Sequence, residues 1–291
     1  KIISSFNTNF LDGHYYRPIT SLSFVLDSIP STKKYSQYHF SNFIIHLIIC
    51  IIIFLIFIEL GYSLLISLLA TLLFAINPIH INAVGWIAGR GDLLATFFSI
   101  LAFFIFLKFI KKNKPYLLIF VSIFLSLAIL SKEVSLIVPF LFLSFYLIEK
   151  KGSSLNKYGL SVVVMIIIVL GFYYLLRGVI LSQVYIDKFS FTTYSKNILV
   201  LPETISKFFI PTGIKALPGL EPFTSISGII LLVFFILLPI KLKSINKLRY
   251  YLGLLWFILL LIPGMVFRTM EQNGFYYWDC RSYLPSVGII M

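Results

Sequence analysis

The stretch IIHLIICIIIFLIFIEL, residues 44–60, contains one acid, Glu59, and no lysine or arginine. A run of this length and apolarity has no place on the surface of a water-soluble domain. It is long enough to approach the ~20 residues that cross a bilayer as a helix. Further apolar runs follow along the chain, and composition agrees with them. Hydrophobic residues make up 59% and charged residues 12% of the sequence, with a mean hydropathy of +0.98, against about a quarter charged in soluble domains. A membrane β-barrel requires short segments of alternating polarity, and the runs here are continuous. The expected fold is therefore an all-α polytopic membrane protein.

Eight spans are expected, near residues 40–60, 63–77, 93–110, 116–130, 134–148, 158–176, 226–240 and 250–266, and a ninth could begin near Pro285. Residues 177–225 read as an outer loop with interfacial helices, on patches such as NILVLPETISKFFIP. The chain starts at Lys1 and ends at Met291 within an apolar run. It reads as a single transmembrane domain, residues 1–291, belonging to a longer protein, with residues 1–39 as the remainder of a first outer loop.

Basic residues set the orientation. Lys108 and the segments KKNK (111–114), KKGSSLNK (150–157) and KLKSINKLR (241–249) concentrate lysine and arginine on one side, accompanied by two acids, Glu59 and Glu149. That side is expected to be cytoplasmic. The net charge of +13 is then a property of loops facing an anionic leaflet, and no nucleic-acid partner is implied. Counting spans places residues 1–39, NPIHINAVGWIAGRGD (77–92), SKE (131–133) and TMEQNGFYYWDCRSYLPS (269–286) together on the other face. The chemically dense stretches thus segregate to one side, which suggests a composite outer site. The runs 116–130 and 134–148 are about 22 Å long at ~1.5 Å per residue, short of a ~30 Å hydrocarbon core. Lys132 and Glu133 are accordingly expected to be recessed, where ionisable groups face a cavity.

Within these stretches, Tyr16 and Arg17 precede Pro18. They suit either a phosphate-binding fork or an interfacial aromatic anchor. His39, Asn42 and His46 share one helix face and are expected to hydrogen-bond within the bundle rather than hold a metal. Arg90 lies between Gly89 and Gly91, which would let the backbone turn toward a ligand, and Asp92 is placed to cap the following helix. Lys132 and Glu133 could pair with each other or present a lysine to phosphate. Asp279 and Glu271 are expected to be solvated. Cys50 and Cys280 form no disulfide or metal pattern. No cofactor is implied by the residues, and a requirement for divalent metal is left open.

The segments YYRPITSLSF, YHFSNFIIHL, NPIHINAVGWIAGRGDLLATFF, LSKEVSLIVP and CRSYLPSVG resemble the membrane region of TMTC-type proteins, O-mannosyltransferase-like polytopic proteins with tetratricopeptide repeats. The resemblance implies a GT-C-type glycosyltransferase. Such an enzyme takes a sugar from a polyprenyl-phosphate donor and passes it to an acceptor hydroxyl, of a protein or a glycan, on the non-cytoplasmic face. It also implies roles at matching positions: Tyr16, Arg17, His80, Arg90, Lys132 and Arg281 in substrate binding, with Asp92 and Glu133 as the visible catalytic acids. Two positions depart from the family pattern, Asn82 and Cys280, where relatives commonly carry an acid, and the family's main catalytic acid is expected upstream of Lys1. A glycan polymerase or ligase using polyprenyl-diphosphate glycans, or a non-catalytic relative, would share most of these features. A transporter would carry charge through its spans, and these spans carry almost none. The abundance of Phe, Ile and Lys, with short loops, suggests a bacterial inner membrane with the site facing the periplasm.

Overall fold

The structure, a computed structural model, describes residues 15–29, 35–150, 157–180, 197–215, 219–241, 246–265 and 279–291. Its helices, in chain order, are α1 (Pro18–Ser28), α2 (Ser36–Glu59), α3 (Leu64–Ala75), α4 (Arg90–Lys112), α5 (Leu117–Ser131), α6 (Val138–Glu149), α7 (Lys157–Ile180), α8 (Val200–Phe209), α9 (Pro222–Lys241), α10 (Lys247–Met265) and α11 (Tyr283–Ile290). Short 3-10 turns occupy Pro78–His80, Ile87–Gly89, Glu133–Ile137 and Asp279–Ser282, and a single α-turn occupies Ile81–Val84. No strand occurs among the described residues, as the continuous apolar runs require. The chain divides into two compact units. The first holds residues up to Ala75 together with Val84–Tyr185, and the second holds Ile76–Ala83 with Ile186–Met291.

Among the described residues five helices are long and apolar enough to cross a membrane: Ser36–Glu59, Ile87–Lys112, Lys157–Gly178, Pro222–Lys241 and Lys247–Met265. A sixth is obtained if Leu64–Ala75 and Pro78–Val84 are counted as one interrupted span. The remaining expected spans are shorter. α5 has 15 residues. The run 134–148 divides into the Glu133–Ile137 turn and the 12 residues of α6. The residues at Pro285 form an eight-residue helix. The division before α6 follows from Pro139 at its N-terminal end, where a missing N–H is tolerated but cannot continue a helix from upstream.

In the first unit α2 buries Asn42, His46, Ile49, Ile53 and Ile56, a stripe at helical spacing. Its other face exposes Phe43, Leu47, Ile51, Leu55 and Ile58. A helix apolar on both faces is the pattern of a lipid-facing span. α4 is the most enclosed span, and its aromatics bind it to α6: Phe103 meets Phe145 edge-on at 5.2 Å and Phe106 stacks on Phe142 at 4.9 Å between ring centroids. Asn42 donates to the carbonyls of Val84 and Trp86, and the His46 ring contacts the Ala75 carbonyl at 3.1 Å. These are the intrabundle bonds expected of that face. Cys50 and Cys280 are both buried, and neither is in a disulfide.

In the second unit α8 packs on α9 so closely that a Cβ added at Gly228 would collide with the backbone carbonyl of Pro202. α10 and α11 cross at a glycine pair, where a Cβ on Gly253 would lie 2.7 Å from the Gly288 carbonyl. Backbone atoms cannot rotate away as a side chain can. Gly228→Ala is therefore expected to destabilise this unit by about 3 kcal/mol, the upper range for overpacking, read as a drop in thermal midpoint in detergent. A midpoint equal to wild type would show that the α8–α9 approach is looser.

Candidate functional site

Two ion pairs form at one end of the first unit. Pro18 occupies the first turn of α1 and leaves Arg17 just before it, with φ −131°. The Arg17 guanidinium grips Glu133 bidentately, Nε to Oε2 at 2.9 Å and Nη2 to Oε2 at 2.7 Å, and stacks over Tyr15 at 4.3 Å. α5 ends at Ser131 because Lys132 turns to an extended backbone, φ −161° and ψ 136°. That turn sends Lys132 to Asp92, with Nζ 2.6 Å from each carboxylate oxygen. Thr20 of α1 donates to the Ser131 carbonyl at 2.9 Å and closes the cluster from below. Tyr16 is buried beside it.

Lys132 and Glu133 therefore do not pair with each other. Each binds a partner from a different helix, so α1, α4 and the α5 terminus are joined by charge. Asp92 is the third residue of α4, whose cap position is Gly89, so it serves Lys132 instead of capping. Neither glycine beside Arg90 uses a left-handed backbone. Gly89 has φ −66°, and a Cβ on Gly91 would meet its neighbours at ordinary distances of 3.7 Å and more. The expected glycine-enabled approach to a ligand is not what this backbone does.

Arg90 sits apart from those pairs. It is 1% exposed, and its guanidinium is spent on protein acceptors. Nη2 donates to Asp27 Oδ2 at 2.7 Å, to the Tyr38 carbonyl at 3.0 Å and to Ser41 Oγ at 2.5 Å, and Nε donates to Asn42 Oδ1. The Phe24 ring lies against the guanidinium at 5.1 Å. So placed, Arg90 ties α1, α2 and α4 together. Asp27 is the partner that sequence reasoning missed; its signal is a lone acid in an apolar helix, which calls for a buried cation.

In the second unit His80 is buried and contacts Ser286 Oγ at 2.9 Å. Ser286 donates its own proton to the Tyr283 carbonyl, so the His80 Nε2 carries hydrogen and donates. Tyr283 meets the His80 ring edge at 4.7 Å. Arg281 donates to the Gly264 carbonyl at 3.2 Å.

α8 buries its apolar residues Val200, Ile205 and Phe208 and, with them, its polar residues Glu203, Thr204, Ser206 and Lys207. Lys207 lies 3.1 Å from Asp279 and 3.7 Å from Glu203. Asp279, expected to be solvated, is 4% exposed, and burial pushes its carboxyl above the usual range against the lowering pull of Lys207. Glu203 accepts at the start of α9 from the Glu221 amide and from the Thr224 and Ser225 hydroxyls, where a helix N-terminus favours an anion. The legible signal was Glu203 and Lys207 four apart in an apolar stretch. Glu271 and residues 1–14 lie outside the described residues, as do parts of the basic loops at 150–157 and 241–249. Among the described residues no three His, Cys, Asp or Glu side chains gather as a metal site.

The order of these elements has a counterpart among known proteins. The family model "Dolichyl-phosphate-mannose-protein mannosyltransferase" matches residues 14–195. The chain belongs to that family. It is thereby placed among membrane glycosyltransferases, as its resemblance to TMTC-type proteins implies. Over 88 residues it is 41% identical to "Protein O-mannosyl-transferase TMTC3" of Homo sapiens, covering 30% of this chain and 10% of that protein. The Mus musculus TMTC3 is 38% identical over 100 residues, 34% of this chain and 10% of its own length. "Protein O-mannosyl-transferase F38B6.6" of Caenorhabditis elegans is 34% identical over 125 residues, 40% of this chain and 17% of its own length. The matched stretches thus span between a tenth and a sixth of these relatives. No solved structure matches the chain.

Proposed function

We propose that this chain transfers a sugar from a polyprenyl-phosphate donor to a hydroxyl of a protein or glycan acceptor, at the non-cytoplasmic face of its membrane. The observation that carries the reading is the paired cluster Arg17–Glu133 and Lys132–Asp92. It offers two cations for a phosphate and two carboxylates for a proton. Arg17 and Lys132 are about 15% exposed at their side chains, accessible to an incoming anion yet shielded enough for charge to act strongly. A phosphate entering here exchanges one anionic partner for another. Lys132 moves its hydrogen bonds from Asp92 to the phosphate, and Asp92 is released. The acceptor oxygen then bonds to the sugar C1 as the C1–O bond to phosphate breaks. The bond electrons leave with the phosphate, steadied by Arg17 and Lys132, and the acceptor proton passes to Asp92. Glu133 holds Arg17 and is the second carboxylate in reach. Tyr16 supports the donor side. His80 and Arg281 belong to the second unit and enter as substrate contacts on the family resemblance alone.

Residues 1–291 are taken as one transmembrane domain, with 1–39 ending its first outer loop and 177–225 forming another. α4 supports the orientation: its first turn carries Asp92 and its last carries Lys111 and Lys112, about 30 Å apart at 1.5 Å per residue. The basic end then faces the cytoplasm and the cluster faces outward. The choice of a bacterial inner membrane rests on composition.

The test is transfer from a polyprenyl-phosphate sugar by the purified protein in lipid nanodiscs. Arg17→Lys keeps the charge but loses the bidentate fork, and is expected to lower turnover about tenfold, with Arg17→Ala lower by about 10²-fold. No transfer by wild type, or full transfer by Arg17→Ala, overturns the reading.

A further inference from the structure

We infer that Tyr173 of α7 donates its hydroxyl proton in a hydrogen bond to the phosphate of the lipid donor, with Arg177 one helical turn further on as an added cation. The inference rests on the transferase reading and adds two residues to its donor site. It starts from the face of α7 that turns into the first unit. Val162, Met165, Ile166, Val169 and Tyr173 are buried, a stripe at helical spacing, while Phe172, Tyr174 and Leu175 are exposed. Arg177 continues the buried stripe, four residues after Tyr173, and is itself half-buried. α7 packs along α5, whose end carries the turn into Lys132 and Glu133.

The Tyr173 hydroxyl is buried and makes no hydrogen bond among the described residues. A buried donor without an acceptor is costly, and native structures keep few of them. Its surroundings indicate which acceptor would complete it. The charged groups that act on the hydroxyl are Glu133, Arg177 and Arg17, so it borders the Arg17–Glu133 pair. Both Glu133 oxygens accept from Arg17 Nε, which holds the carboxylate to the guanidinium and leaves the phenol aside.

Arg17 is the phosphate's partner in the transferase reading. An anion that takes Arg17 from Glu133 brings its remaining oxygens to the hydroxyl beside that pair. The groups there are two guanidiniums and a phenol, all of them donors, and a phosphate has an oxygen for each. A hydroxyl donating to an oxyanion forms one of the shorter and stronger hydrogen bonds. A cation in the last turn of α7 also suits the helix dipole, so Arg177 has a second reason to be where it is. The buried hydroxyl has none, and Tyr173 therefore carries the inference.

The experiment titrates the full chain in phosphatidylcholine nanodiscs with geranyl monophosphate. Geraniol is the uncharged control, and nanodiscs that include phosphatidylglycerol separate a donor phosphate from a membrane headgroup. Wild type should bind geranyl monophosphate saturably, more weakly at high salt, and should bind geraniol poorly. Tyr173→Phe removes the oxygen and keeps the ring in the stripe. It should weaken binding about tenfold with the salt dependence unchanged. Its thermal midpoint should stay at or above wild type, because no bond within the protein is lost. Arg177→Gln should weaken binding and flatten the salt dependence. The inference is overturned by wild-type affinity in Tyr173→Phe, or by a lowered midpoint there, which would give the hydroxyl a structural role. It is overturned equally if wild type does not bind geranyl monophosphate, if geraniol binds as tightly, or if phosphatidylglycerol abolishes binding. Binding that depends on Tyr173 without any sugar transfer would refute the transferase reading alone. Transfer by Tyr173→Phe at the wild-type donor KM would refute this inference alone.

Discussion

Replacing Arg90 by alanine is expected to cost the first unit about 3–5 kcal/mol, the range for removing one partner of a buried ion pair. The reason is what the arginine leaves behind. Asp27 Oδ2, Asn42 Oδ1 and the Tyr38 carbonyl all accept from it, and each buried acceptor without a donor costs about 1–3 kcal/mol. Part of this is recovered because the Asp27 side chain is 19% exposed and water can reach it. Arg90→Lys should recover less than half, since one ammonium cannot span acceptors on both α1 and α2. Asp27→Asn, which keeps an acceptor for Arg90 and leaves a neutral amide, should cost less than Arg90→Ala. Denaturant or thermal unfolding in detergent ranks the three variants. If Arg90→Ala unfolded like wild type and lost transfer, the arginine would belong to the donor site.

That contrast shows where the sequence was readable. The apolar runs specified an all-helical membrane protein, because only helices and closed barrels satisfy a backbone in lipid and a barrel needs alternating polarity. The wording of the outer segments specified the family. The sequence also grouped Arg17, Asp92, Lys132 and Glu133 on one side, the last two recessed, but it could not pair them. Lys132 and Glu133 are neighbours in sequence, and only the extended backbone at Lys132 sends them to different helices. Arg90 between two glycines suggested a ligand contact, and the partner it holds in this structure, Asp27, is far from it in sequence and has no motif of its own. α8 was legible only in part. Amphipathicity reports that a helix has two faces, and here both are covered, the polar one because Asp279 and the start of α9 supply its partners. The short run 116–130 reappears as the 15 residues of α5, whereas 134–148 is divided at Pro139 into a turn and α6, a break that hydropathy does not register.

Asp92→Asn is expected to lower turnover about 10²–10⁴-fold, the contribution of a positioned general base, with some loss of stability from leaving Lys132 without its counter-charge. The asparagine keeps the shape of the side chain and one oxygen to accept from Lys132, whose Nζ lies 2.6 Å from both oxygens in the wild type. What it loses is the ability to take a proton. Glu133→Gln makes the same change at the other pair and serves as the comparison. Arg17 holds Glu133 by two guanidinium nitrogens, and a phosphate drawn to Arg17 and Lys132 frees the lysine's partner more readily, because a single ammonium redirects by rotation whereas a bidentate fork must break two bonds. Glu133→Gln should therefore act mainly on donor affinity, raising KM with a smaller change in kcat, and Asp92→Asn mainly on kcat. The measurement is steady-state transfer at varied donor concentration for both variants, with unfolding followed alongside. The reverse split, with kcat lost in Glu133→Gln and KM raised in Asp92→Asn, would assign the base to Glu133. Full activity in both would place the proton acceptor outside this cluster altogether.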